Sequence, residues 1–364
     1  MKSLLQNNKR NLLHIELLRI IAAYFVIFNH TSKKGFFLFS VYERGSLPYW
    51  VYMFFSVFCK ISVPLFFMIA GALLLKKDMD LKEIWSKKIS RILAALVIFT
   101  AVTYIGLGIW NGEATLSVVD YVQKLYTNQV TVVFWYLYAY MAFLIALPFL
   151  RAIVKTIKSV DYKYLFILFV LFTAVIPCIE YRFGQGNIRL YGELSPSWLF
   201  SNIVFWPLLG YYLENVWDIK KCSGRMLGVW TLLGMAGIGL SCYMTYYMHG
   251  VTGICDEDNS QIFHSTFIVL PCIAIYVAVK FFAERHVFSG VARKCITSLG
   301  SCTFGIYLLH VVVKKYLSGL WRVFRHDWQM NKMLAALLFC AVVFVICYGM
   351  TWVLKKVPGI KKVV

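Results

Sequence analysis

Arg19 and His30 lie within the first long apolar stretch of the chain, His14 to His30, and no other pair of residues carries a clearer chemical signal. Eleven residues apart on a helix, they fall within roughly 20° of one face and ~16 Å apart along the axis. A permanent cation and a titratable imidazole on one stripe are costly to keep in hydrocarbon. Such residues usually face a bundle interior or a watered cavity and take part in function. The plain alternative is an arginine snorkelling to the headgroups and a helix-end histidine with no role. Glu16, three residues before Arg19, is placed to hold the guanidinium, because a buried unpaired cation is unfavourable. Asn29, beside His30, is a candidate substrate contact.

These side chains need a membrane helix to position them, and the composition supplies one. Of the 364 residues, 60% are hydrophobic and only 15% charged, which excludes a soluble globular domain. Ten apolar stretches approach the length that spans a bilayer. They fall near 12–30, 49–75, 89–110, 132–150, 162–179, 197–213, 226–248, 261–282, 297–313 and 333–354. Long continuous runs with little period-2 alternation favour helices over a barrel. No cleavage site follows the first stretch, so it is expected to stay as a helix. The expected fold is therefore all-α: a polytopic bundle of about ten transmembrane helices. Residues 1–364 are read as one membrane domain with its core at about 12–354, without linker, repeat or soluble domain.

The net charge of +20 could suggest nucleic acid, but its distribution argues against that. With an even number of spans and the N-terminus inside, the inner segments 1–11, 76–91, 151–163, 214–225, 280–296 and 355–364 hold 24 Lys and Arg. The outer segments 31–48, 111–131, 180–196, 249–260 and 314–332 hold 11. That asymmetry is the positive-inside pattern and predicts both termini in the cytoplasm. The basic charge reports topology and anionic lipid. Five cations in 314–332 go against the rule, and a re-entrant stretch at 297–313 would flip the C-terminus. The ten cysteines form no CxxC pair, and most lie within spans as small hydrophobes. Cys178 and Cys255 fall near the outer face, where a bridge between them could form. No His, Asp or Glu cluster has metal-ligand spacing.

Four further constellations bear on chemistry. After the embedded Lys60, the second stretch contains Pro64 and Gly71; the proline frees a carbonyl one turn back and the glycine permits close helix approach. Lys76, Lys77, Lys87, Lys88 and Arg91 form an inner basic patch, which is either a plain topology signal or a site for the phosphates of a cytosolic ligand. Trp135, Tyr136, Tyr138 and Tyr140 lie near the outer end of the fourth stretch, as an aromatic belt or as a platform on which a sugar stacks. Finally, Tyr307 and His310 are neighbours on one face of an apolar helix, where a histidine serves either packing or function.

Taken in order, these residues resemble a known family. Glu16-x-x-Arg19 and His30, then Val63-Pro-Leu-Phe-Phe-Met-Ile-Ala70-Gly71, Trp135-Tyr-Leu, Trp206-Pro-Leu-Leu-Gly-Tyr-Tyr and Gly305-Ile-Tyr307-Leu-Leu-His310 are similar to the membrane-bound acyltransferase family 3, the surface-polysaccharide O-acyltransferase group. The resemblance covers roughly 12–354. It implies transfer of an acyl group, usually acetyl, from cytosolic acyl-CoA to a carbohydrate hydroxyl on the far side of the cell membrane, with Arg19 and His30 as paired essential residues. Two positions depart from the pattern. Val133 stands where many members have histidine two residues before the tryptophan, and Ala70 where many have serine. Either the acceptor differs or His310 compensates.

Joined together, the expectation is that acetyl-CoA docks its phosphates at Lys87, Lys88 and Arg91, while its pantetheine arm passes Arg19 toward His30. His30, with His310 as a further catalytic candidate, acts as general base on a sugar hydroxyl or becomes acylated itself. Trp135, Tyr136, Tyr307 and Asn29 are the expected contacts of a cell-surface or lipid-linked carbohydrate. The competing reading is a polytopic transporter or flippase for a small polar or lipid-linked sugar. It fits the embedded charges and the Pro-bent helix but lacks a pair of broken helices at matching places in two halves.

Overall fold

A computed structural model describes residues 12–112, 117–185, 187–253, 263 and 265–364. The described residues are all-helical, with 79% helix and no strand. Cys255, the expected partner of Cys178, lies outside them. In chain order the main helices are α1 Leu13–Asn29, α2 Leu47–Cys59, α3 Ser62–Leu74, α4 Ser90–Asn111, α5 Val118–Tyr126, α6 Trp135–Thr156, α7 Ser159–Val170, α8 Ile176–Gly184, α9 Phe205–Tyr211, α10 Gly224–Thr252, α11 Val269–Arg285, α12 Gly290–Tyr316 and α13 Lys332–Leu354. Side-chain caps start several of them: Ser46, Ser117, Ser223 and Asn331 each accept a first-turn N–H.

Among the described residues, seven helical segments are long and apolar enough to cross a membrane: Leu47–Leu74, Leu81–Asn111, Val132–Thr156, Ser159–Gly184, Gly224–Thr252, Gly290–Tyr316 and Lys332–Leu354. The other three expected spans are shorter. Helices α1 and α11 have 17 residues each. The stretch expected at 197–213 is helical only from Phe205, because Ser195, Pro196, Ser197 and Ser201 favour turns that apolar composition does not reveal. The start of α11 moves inward from 261 to Val269, with Pro271 in its first turn, where a missing N–H costs nothing.

The helices sort into two compact units, one of residues 1–76 and 149–297, the other of 77–148 and 298–364. In the first unit the span Leu47–Leu74 breaks at Lys60–Ile61, one turn before Pro64, which has no N–H for the Lys60 carbonyl. Beyond the break, α3 crosses α9 at very short range. A Cβ at Gly71 would strike the Pro207 backbone, and one at Gly210 would strike the Met68 backbone, so the two glycines let the helix backbones touch. Behind that crossing Phe169 stacks on Phe205 with ring centroids 3.6 Å apart. In the second unit α12 packs on α13 and α4. Ser298 and Tyr348 share a hydrogen bond of 2.8 Å, and the Tyr316 hydroxyl donates to the Gly106 carbonyl at 2.9 Å.

The glycine crossing has a measurable consequence. Gly210→Ala should destabilise the protein by about 1–3 kcal/mol through overpacking, read as a lower midpoint of thermal unfolding in detergent. Gly239→Ala, on a part of α10 where a Cβ meets nothing, should leave the midpoint unchanged or raise it. Equal effects of the two substitutions would contradict the close crossing.

Candidate functional site

Helix α1 carries the polar stripe of the first unit. Arg19 Nη1 donates to Glu16 Oε1 at 2.8 Å, one turn back on the same face. Both side chains remain partly open, Arg19 at 30% and Glu16 at 17%. The guanidinium makes no second hydrogen bond among the described residues, so donors remain for a ligand. The neighbouring positions Leu18, Ala22, Ala23, Val26, Ile27 and Phe28 are buried and seat the helix in the unit.

At the far end of α1 the chain stops being helical at His30, which caps the helix with its N–H 3.2 Å from the Ile27 carbonyl. Thr31 fixes this ending: its hydroxyl donates to the Phe28 carbonyl at 2.6 Å and accepts from the Phe36 N–H at 2.9 Å. Asn29 ties the same end to the broken span. Its amide donates to the Cys59 carbonyl at 3.1 Å and to Ser62 Oγ at 2.9 Å, one on each side of the Lys60–Ile61 break. The Lys60 ammonium lies 4.8 Å from the centre of the Phe36 ring, a cation–π placement. The half-buried His30 thus adjoins a polar seam of Asn29, Ser62 and a freed helix carbonyl.

A second polar cluster in this unit went unnoticed in the sequence. Glu214 Oε2 accepts from His14 Nε2 at 2.9 Å, from the Tyr276 hydroxyl at 2.9 Å and from Lys280 Nζ at 3.1 Å. Lys280 also donates to the Leu213 and Glu214 carbonyls at 3.0 and 3.3 Å. Three donors on one carboxylate oxygen join the start of α1, the π-helical turn Tyr212–Val216 after α9, and α11. The available signal was Tyr276 and Lys280 at i,i+4 in an apolar helix, a buried cation that demands a counter-charge.

The remaining expected residues lie in the second unit. Lys87 pairs with Glu83 at 3.5 Å, Lys88 is half-buried, and Arg91 Nε donates to the Val363 carbonyl at 3.2 Å. Trp135 opens α6 and is half-buried, whereas Tyr136 and Tyr307 are buried with ring centroids 5.5 Å apart. The Tyr307 hydroxyl donates to the Val133 carbonyl at 2.6 Å. His310 is fully buried, with Nδ1 2.6 Å from the Tyr307 carbonyl and its ring 5.8 Å from the Tyr307 ring. The fold therefore gathers Tyr136, Tyr307 and His310 around position 133. Among the described residues no three His, Cys, Asp or Glu side chains gather as a metal ion requires.

Comparison with known proteins adds one match. A family profile described as an acyltransferase domain matches residues 12–352. No curated protein and no solved structure matches the chain.

The Glu214 cluster is open to test by a paired substitution. Glu214→Gln leaves the Lys280 ammonium without its counter-charge and should cost about 3–5 kcal/mol of stability, seen as a fall in the thermal midpoint. Glu214→Gln combined with Lys280→Met removes both charges and should recover most of that loss. If the double variant is no more stable than the single one, the pair is not the element that holds these helices.

Proposed function

Because the chain belongs to acyltransferase family 3, matched along nearly its whole length, we propose that it moves an acyl group, acetyl in the first instance, from cytosolic acyl-CoA to a hydroxyl of an extracytoplasmic, cell-surface or lipid-linked carbohydrate, working as a multi-pass protein of the cell membrane. The observation that carries the reading is the stripe of α1. Arg19 is held by Glu16 yet keeps free donors, and His30 stands at the helix end beside a polar seam.

The chemistry follows from those groups. The acceptor oxygen attacks the thioester carbonyl while a His30 nitrogen takes the hydroxyl proton. The tetrahedral intermediate collapses with loss of the carbon–sulfur bond, and the departing thiolate takes the proton from the imidazolium, giving ester and free coenzyme A. In the covalent variant the imidazole first displaces the thiolate and then passes the acyl group to the acceptor. Arg19, with its remaining donors, is proposed to hold the arm of the donor. Lys87, Lys88 and Arg91 are proposed for the phosphates, and Trp135, Tyr136, Tyr307 and Asn29 for the acceptor. His310 is proposed as the group that stands in for the histidine absent at position 133, a role supported by the shared contact of Tyr307 with Val133 and His310.

His30→Ala, assayed in membrane vesicles with labelled acetyl-CoA and acceptor glycan, should lower transfer by about 10²–10⁴-fold at normal protein level. Undiminished transfer would remove His30 from the reaction. Label trapped on the protein without acceptor, alkali-labile and lost in the variant, selects the covalent route.

A further inference from the structure

After the span Ser159–Gly184 the chain turns back along that span before α9 begins. The Leu190 N–H donates to Glu180 Oε1 at 2.5 Å, one turn from the end of α8. Further on, the Phe200 ring lies 5.8 Å from Phe169 and from Phe172, and Phe205 stacks on Phe169. From Glu180 to Phe172 is ~12 Å along the helix. The segment 190–204, which holds no α-helix, thus returns to the middle of a 26-residue apolar span.

A groove of about 650 Å³ lies along this return. Tyr164, Leu168 and Phe172, successive turns of one face, form one wall, and residues 192–198 form the other. Glu193, Ser195 and Ser197 bring a carboxylate and two hydroxyls to it, and these side chains make no hydrogen bond or ion pair among the described residues. No Lys or Arg stands among the described residues of the wall. The span itself is π-helical at Leu171–Val175, a distortion frequent at functional sites.

Non-helical backbone at membrane depth is tolerated only where protein buries it or where it lines a watered cavity. Glu193 and Ser197 are exposed, so the groove is a wetted slot in the side of an apolar span. An ionisable group at such depth marks a functional site. The lining selects its occupant by charge. A phosphate or carboxylate would meet Glu193 with no cation in the wall to offset it. Sugar hydroxyls suit it: the carboxylate accepts from them, the serine hydroxyls donate and accept, and Trp198 offers a ring to the apolar face of a sugar. On the same span Ile167 and Leu171 are exposed and apolar, as contact with a hydrocarbon chain requires.

We propose that this groove binds the uncharged sugar head of a membrane-borne glycolipid, with Glu193, Ser195 and Ser197 as its polar contacts. The inference rests on the carbohydrate-acceptor reading above and narrows that acceptor to a molecule carried in the bilayer.

The full-length protein is placed in phosphatidylcholine nanodiscs with a long-chain alkyl glucoside that carries a diazirine beside the sugar. A matched probe keeps the chain and diazirine but ends in phosphocholine. After irradiation at increasing probe concentration, labelled peptides are read by mass spectrometry. The glucoside should label 164–172 and 192–198 saturably and with about tenfold higher apparent affinity than the phosphocholine probe. Glu193→Gln/Ser197→Ala should weaken the apparent Kd of the glucoside by about tenfold, as the loss of a charge-assisted hydrogen bond requires. Equal labelling of the groove by both probes in the wild type would mean plain lipid contact and overturns the proposal, whether or not the variant folds. A double variant with unchanged Tm and the wild-type Kd for the glucoside also overturns it. His30 is not part of this wall, so the two readings fail separately. No preference for the glucoside, alongside a dead His30→Ala enzyme, removes the groove and leaves the acyl transfer in place. Saturable glucoside labelling, alongside normal transfer by His30→Ala, keeps the groove and removes His30 from the reaction.

Discussion

A charge inside an apolar helix has to be partnered or wetted, and the design of the first unit follows from which solution each charge receives. Lys280 has the first solution in full: 4% exposed, it is closed in by the Glu214 carboxylate and two backbone carbonyls. Arg19 receives only part of it. One nitrogen is paired with Glu16 and the side chain stays 30% open. The sealed charge joins helices, and the open one is left with bonding capacity to spend on a ligand. The same chemistry thus yields a sealed structural tie at one place and a half-open ion pair at another.

Backbone polar groups obey the same rule. Where Pro64 cannot donate, the span Leu47–Leu74 breaks, and Asn29 bridges the break by taking the Cys59 carbonyl and Ser62 hydroxyl. Together with the Thr31 hydroxyl, that amide ties the end of α1, and with it His30, to its surroundings. Further along the same span, Gly71 and Gly210 let α3 and α9 meet at backbone distance, which holds the second half of the broken helix.

Local features were legible in the sequence and long-range ones were not. The pairing of Glu16 with Arg19 is a helix-surface neighbour relation, visible at a spacing of three. Pro64 and Gly71 announced a break and a close approach, but nothing in the sequence named Pro207 and Gly210 as the other side of that crossing. Glu214 and Lys280 are 66 residues apart, and Glu214 reads as an ordinary loop acid until the fold brings three donors to it. Basic residues show the same limit: nothing in the sequence pairs Arg91 with the distant Val363 carbonyl, which accepts from its Nε. Apolar content overstated the stretch 197–213, where serines and a proline make turns before Phe205.

The central claim is that His30 faces a watered passage and not the acyl chains. It is tested most directly by reacting His30→Cys, in nanodiscs, with a small charged thiosulfonate reagent and reading each site by peptide mass spectrometry. The native Cys295, exposed, and Cys59, buried, calibrate the two extremes within the same molecule. Labelling at position 30 should approach that of Cys295. A residue 30 that stays as silent as Cys59 toward the charged reagent, yet reacts with a lipid-soluble maleimide, would contradict the claim.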